Sequence, residues 1–234
     1  MPGEIALEEV DGITVVRLQR PPANAPAPEF LAEGAAMMED LRIDPPAAIV
    51  LTGSRGFFSG GVDLKLAPTL SPGEQTEMVA GINRLFIDWY GFPRPVVAAV
   101  NGHAVAGGMI LALCADRRIG AADATYGLTE LRVGIGYPAA AIGCVRAELT
   151  PWAMRRTVLD ADLLGSEVAL ERGLVDEVVA ADEVFDRSLA VAKDLGALPA
   201  HTYETVKEQV RGPALAAMRS GAAKDPMSQG WLDD

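Results

Sequence analysis

Residues 96–116 read VVAAVNGHAVAGGMILALCAD, and no other stretch restricts the fold so tightly. Val96, Val97, Ala98, Ala99 and Val100 have the length and β-branched content of a strand buried on both faces. Asn101-Gly102 ends that strand. Gly107-Gly108 then opens a second apolar run, Met109 to Ala115, hydrophobic on every side as a buried helix is. The first N–H groups of a helix have no intrahelical acceptor. Glycines there let a ligand approach the backbone, and the helix dipole favours negative charge at that end. On its own the segment reads equally well as a tight strand-to-helix junction with no ligand.

A second turn has the same construction. Residues 47–52 (AAIVLT) form a short buried strand that runs through Gly53-Ser54-Arg55-Gly56 into residues 57–65 (FFSGGVDLK). Ser59-Gly60-Gly61-Val62-Asp63 and Ala106-Gly107-Gly108 can each offer a bare backbone N–H. Two such donors meeting at one point make an oxyanion hole, which stabilises a developing enolate or tetrahedral oxygen. Neither turn is a phosphate loop, since there is no GxxxxGK[ST] and no GxGxxG. The chain also lacks a GxSxG elbow and a Ser–His–Asp set, which argues against acyl-enzyme hydrolysis.

The rest of the chain supplies alternating strands and helices. Asp11-Gly12 joins two strand-like runs as a hairpin. Residues 20–28 (RPPANAPAP) are too rich in proline for regular structure. A helix is expected over 29–41. Ser71-Pro72-Gly73-Glu74 starts another with a capping box, and Met78, Ile82, Leu85, Phe86 and Trp89 form its core stripe. Strand-like pieces follow at 117–121 and 124–127, then helices at 139–149, from Thr150-Pro151, and at 166–172. A strand is expected at 174–179 and a helix capped by Asp182 runs to about 195. Residues 202–211 make the last clear helix, and 212–234 read as weak and polar, prone to fraying. Short buried strands alternating with helices mean an α/β fold with a mostly parallel or spiral sheet.

The length of 234 residues suits one large domain, and half of it is hydrophobic. A net charge of -12 argues against a nucleic-acid partner, which needs a basic face. The two cysteines, Cys114 and Cys144, sit in apolar surroundings and read as buried thiols of a reducing compartment. With two histidines, a His-rich metal site is not expected. The acidic, alternating N-terminus is not a signal peptide, and no apolar run reaches membrane-spanning length. A cytoplasmic protein with no membrane partner is the expectation.

FSGGVDLK (58–65) and NGHAVAGGMILALCAD (101–116) resemble the two oxyanion-hole segments of the enoyl-CoA hydratase/isomerase, or crotonase, superfamily. YGLTELRVGI (126–135) and LGSEVALERGLVDEVV (164–179) are similar to that family too, and the resemblance extends from about Gly3 to about Arg211. It implies an α/β fold: a crotonase-like spiral of ββα units over residues 1–183, then a C-terminal helical region, 184–234, that makes oligomer contacts in a homotrimer or hexamer. It implies an acyl-CoA substrate and no separate cofactor, coenzyme A being part of the substrate. By the same resemblance the N–H groups of Gly60 and Gly107 hold the thioester oxygen, each worth about 3–4 kcal/mol. The loop carrying Ala23 and Ala25, and Lys65, lie along the nucleotide and pantetheine. Gly61, Val62, Asp63, Leu64, Ala106, Gly108, Ile110 and Tyr137 complete the expected substrate-binding set. Asp63 and Asp116 also read as makers of turn and helix-end hydrogen bonds, and His103 as a turn residue.

Hydratases of this family resemble one another in using two glutamates. One lies three positions after the oxyanion glycine, where this chain has Ile110. The other corresponds to Glu130. A single glutamate resembles the Δ3,Δ2-enoyl-CoA isomerases, whose chemistry needs one carboxylate to move a proton from C2 to C4. Tyr137 stands where small residues are common and reshapes the acyl pocket. Two alternatives remain: a hydratase or other crotonase-family lyase or hydrolase, and a catalytically weak CoA-binding scaffold.

Overall fold

The computed structural model describes residues 3–63 and 65–229. Asp11-Gly12 turns β1 (Ile5–Val10) back on β2 (Ile13–Leu18), both residues adopting positive φ. This antiparallel hairpin begins a six-stranded sheet. It continues in parallel through β3 (Ile49–Thr52), β5 (Val96–Val100), β7 (Arg117–Ala121) and β9 (Glu177–Val179). Val15, Val50 and Val97 stand in register across three neighbouring strands and are all fully buried. Two-sided burial explains why β3 and β5 read as unbroken apolar runs.

A second, three-stranded parallel sheet is made of β4 (Phe57–Ser59), β6 (His103–Val105) and β8 (Tyr126–Gly127), in that order. Two or three residues are too few to show a period of two, so the sequence reveals this sheet poorly.

Helix α1 (Pro28–Ile43) packs on α2 (Pro72–Tyr90). The capping box at Ser71 and Glu74 forms as expected, and the stripe of Met78, Ile82, Leu85, Phe86 and Trp89 is buried. Helix α3 (Gly107–Leu113) is short and central, and α4 (Ala139–Glu148), α5 (Pro151–Val158) and α6 (Ser166–Glu171) follow. Helix α7 (Val184–Gly196) lies against β2, β3, β5 and β7. Its N-cap is Glu183 with no side-chain cap, so Asp182 does not cap it.

Helix α8 (Ala200–Ala222) extends past the expected stop at Arg211, through Gly212 and Pro213. Tertiary contacts outweigh the helix-breaking pair. Met218 is buried beyond it, and Arg211 donates to the Cys114 and Ala115 carbonyls at 2.8 and 2.9 Å. Asp116 accepts from the Val96 N–H at 2.8 Å and from Lys207 Nζ at 2.7 Å, a structural role. The Cys114 and Cys144 sulfurs lie 3.7 Å apart, both buried. Among the described residues no helix is long and apolar enough to cross a membrane.

Candidate active site

The small sheet positions the site. Strand β4 leads directly into Gly60, β6 into Ala106 and Gly107, and β8 into Thr129 and Glu130. The three strands are parallel neighbours, so their carboxyl ends deliver all three segments to one edge. Asn24, buried and with φ 51°, clamps the first segment. Its Nδ2 donates to the carbonyls of Phe57 at 2.9 Å and Phe58 at 3.2 Å, while Ser59 Oγ donates back to the Asn24 carbonyl at 2.9 Å.

The same clamp corrects one expectation. The Gly60 N–H donates to the Ala23 carbonyl at 2.8 Å, so it is not free to bind an oxyanion. The Gly61 N–H faces Ser59 Oγ at 3.3 Å. The next N–H, that of Val62, meets no acceptor among the described residues, and neither does that of Gly107. Gly61 has φ 77°, and a Cβ there would come within 2.9 Å of the Gly107 nitrogen, so the two turns touch. The donor pair that the backbone leaves open is Val62 with Gly107. Ala106, just before, holds φ 52° and ψ -131°, a region nearly reserved for glycine. Its N–H bonds to the Gly127 carbonyl at 2.8 Å, and its own carbonyl accepts from Met109 and Ile110.

Val62 and Gly107 line a cavity of about 110 Å³. Ile82, Leu85 and Phe86 of α2 form one wall, and Ile110, Ile135 and Ala141 another. Glu130 is the one ionisable side chain on it among the described residues. It is 8% exposed. Burial pushes its pKa up to about 7, against the opposing pull of the Tyr137 hydroxyl and of its own backbone N–H. Tyr137 is not on the cavity wall; it stands beside Glu130, yet the pair lacks hydrogen-bond geometry. Glu130 Oε2 and the Tyr137 hydroxyl are both buried without a hydrogen-bond partner among the described residues. A larger groove, about 430 Å³ between α1 and α2, carries Glu29, Glu74 and Glu77 and reaches neither glycine turn.

Gly60, Val62, Ala106, Gly107, Ile110 and Glu130 therefore meet around one cavity. Gly108 supports it from behind, since a Cβ there would overlap the Ser59 carbonyl. Ala23, Ala25, Asp63 and Lys65 lie off this wall. Asp63 accepts from the Lys65 and Leu66 N–H groups and pairs with Arg20 at 3.3 Å. Leu64 lies outside the described residues. His103 sits on β6, where its Nδ1 accepts from the Thr125 N–H at 3.0 Å.

The family model for enoyl-CoA hydratase/isomerase matches residues 8–228. The chain is 33% identical over 201 residues to a probable enoyl-CoA hydratase, echA17, of Mycobacterium avium, covering 85% of this chain and 78% of that one. It is 31% identical over 204 residues to the mitochondrial enoyl-CoA delta isomerase 1 of Rattus norvegicus, covering 86% and 71%. The solved structure of the enoyl-CoA hydratase EchA3 from Mycobacterium ulcerans superposes with a TM-score of 0.91 at 28% identity, covering 97% of this chain and all of that one.

Proposed function

Because the chain belongs to the enoyl-CoA hydratase/isomerase family and has the crotonase fold, we propose that it is an enoyl-CoA isomerase in which Glu130 is the sole acid and base. The observation that carries this reading is the single carboxylate, among the described residues, on a wall whose other side chains are apolar except for Thr129; Ile110 stands where the family resemblance puts the second glutamate of a hydratase. In the proposed reaction the thioester oxygen of a 3-enoyl-CoA sits between the Val62 and Gly107 N–H groups. Glu130 removes a proton from C2, and the resulting charge spreads to that oxygen, where two donors stabilise it. The protonated carboxyl then returns the proton at C4, and the double bond moves from C3 to C2. A carboxyl with a pKa near 7 serves as both base and acid at neutral pH. Adding water would need one group to activate it and another to give a proton, and the wall offers one.

Coenzyme A enters as part of the substrate, with the loop of Ala23 and Ala25 and with Lys65 along its nucleotide and pantetheine. The chain acts as a homotrimer or hexamer in the cytoplasm, with neither nucleic acid nor membrane as a partner.

Turnover of 3-enoyl-CoA and 2-enoyl-CoA panels tests the reading. Isomerisation should outpace hydration, and Glu130→Gln should cut kcat by about 10²–10⁴-fold while leaving acyl-CoA affinity nearly intact. Hydration without isomerisation would move the chain to the hydratase reading. Acyl-CoA binding without turnover would leave a scaffold.

A further inference from the structure

Tyr137 stands between the one-turn 3-10 helix Glu130–Val133 and the start of α4. Its hydroxyl is sealed from solvent and has no hydrogen-bond partner among the described residues, and Glu130 Oε2 is in the same condition. Buried polar atoms without partners are rare and call for an explanation. These two have complementary chemistry, because a phenol has one proton to donate and a carboxylate only accepts. They also sense each other: after burial, the Glu130 charge is the next influence raising the Tyr137 pKa. Hydrogen bonds of a catalytic group are often long in the unliganded site and tighten when substrate binds.

The backbone around the pair is fixed. Gly134 turns the chain at φ 70°, and the Ile135 N–H donates to the Glu130 carbonyl at 3.1 Å. The first N–H groups of α4 are tied down by Asp225 Oδ2 on Ala139 at 2.7 Å and by Asn83 Oδ1 on Ala140 at 2.8 Å. Tyr137 thus stands two residues before an anchored helix start, near enough to Glu130 for each group to shift the other's pKa.

We propose that Tyr137 is a positioning residue for Glu130: in the substrate complex its O–H donates to Oε2, fixes the carboxyl plane and leaves Oε1 to face the reacting carbons. No proton passes through the phenol. Burial and the Glu130 charge hold its pKa far above the ordinary tyrosine range, so it stays protonated and acts only as a donor. Tyr137 is the one titratable neighbour that bears on Glu130; no lysine, arginine or second carboxylate does so among the described residues. The inference rests on Glu130 being the base, as proposed above.

Tyr137→Phe removes one oxygen and keeps the ring. In the variant kcat should fall about tenfold with KM within about twofold of the wild type, the pattern of a lost transition-state interaction. The acid limb of kcat, which reports the substrate complex, should move to higher pH, because the hydrogen bond that favours the ionised Glu130 there is gone. A readout independent of turnover is the carboxyl titration, by ¹³C NMR with labelled glutamate, of protein bound to an unreactive acyl-CoA thioether, the Glu130 signal being assigned by its loss in Glu130→Gln. Its midpoint should rise in Tyr137→Phe. A midpoint that stays or falls, or an unchanged kcat, overturns the inference.

In the wild type, binding of an unreactive acyl-CoA thioether should shift the Tyr137 Cζ resonance as the hydroxyl becomes bonded, and an unmoved resonance overturns it even if the Phe variant does not fold. Glu130→Gln with full turnover would sink the assignment of Glu130 as base. Glu130→Gln without turnover beside an unaltered Tyr137→Phe would sink this inference alone.

Discussion

At the scale of single residues, the site is held together at a cost to stability. The Glu130 pKa rises from 4.5 to about 7 on folding, through burial. Between those values the folded chain keeps a proton that the unfolded chain releases, so stability falls as pH rises through that window. The contribution of the neutral carboxyl is complete below about pH 4.5 and lost above about pH 7. At about 1.4 kcal/mol per pH unit, ionising this group in place costs about 3 kcal/mol. Glu130→Gln should therefore be more stable than the wild type by up to about 3 kcal/mol near pH 8, with the gap closing near pH 4. Urea melts of both proteins at the two pH values check this. The residue scale is also where the sequence misleads. Gly60 and Val62 lie two positions apart in one turn, and either N–H is a plausible donor. The choice depends on the Ala23 carbonyl, delivered by a proline-rich loop with no periodic signal of its own. The approach of Tyr137 to Glu130 is equally hidden, because it depends on how Gly134 bends the chain between them.

At the scale of elements, legibility followed local chemistry rather than length: the expected strand-like pieces at 124–127 and 174–179 contain the short β8 and β9, whereas β4 and β6 carry no signal of their own. Strand β5 and helix α3 follow from an apolar pattern and a glycine pair, and the Ser71 capping box from local chemistry. Strands β4 and β6, which aim both glycine turns, are three residues each and are defined by pairing with each other. Helix α8 outruns its own propensity at Gly212 and Pro213 because the core rewards its continuation. Beyond it, Asp225 is buried and caps α4 from outside, accepting from Asn83 Nδ2 at 2.8 Å, from the Ala139 N–H at 2.7 Å and from the Met227 N–H at 3.0 Å. No side chain at the start of α4 supplies that cap. Asp225→Ala should cost about 2 kcal/mol, since it strands buried donors at a helix end, and Asp225→Asn should recover part of it. Thermal melts of the two variants measure the difference.

At the scale of the molecule, α8 is fastened to the core through Lys207 and Arg211, while other faces stay apolar and open. Trp152, Leu159 and Leu163 are all about half exposed or more, at 48%, 64% and 59%, and so are Leu131 and Val133. Val133 and Leu163 share one surface recess, and Val133 also lines the cavity. Apolar exposure continuous with a site marks an association surface. Light scattering should find a trimer or a pair of trimers, and a stable monomer at micromolar concentration would count against it. The apolar wall around Glu130 has a further consequence. In the proposed isomerisation, a hydrogen lifted from C2 would be held by a carboxyl that has no other ionisable group beside it on the wall among the described residues, so solvent would have little chance to exchange it. Run in heavy water, the isomerisation should preserve the substrate's own hydrogen. The atom found at C4 of the product would be the one that left C2, carried over as an isotopic memory. Deuterium from the solvent appearing at C4 in most product molecules would mean that water reaches the carboxyl within each turnover.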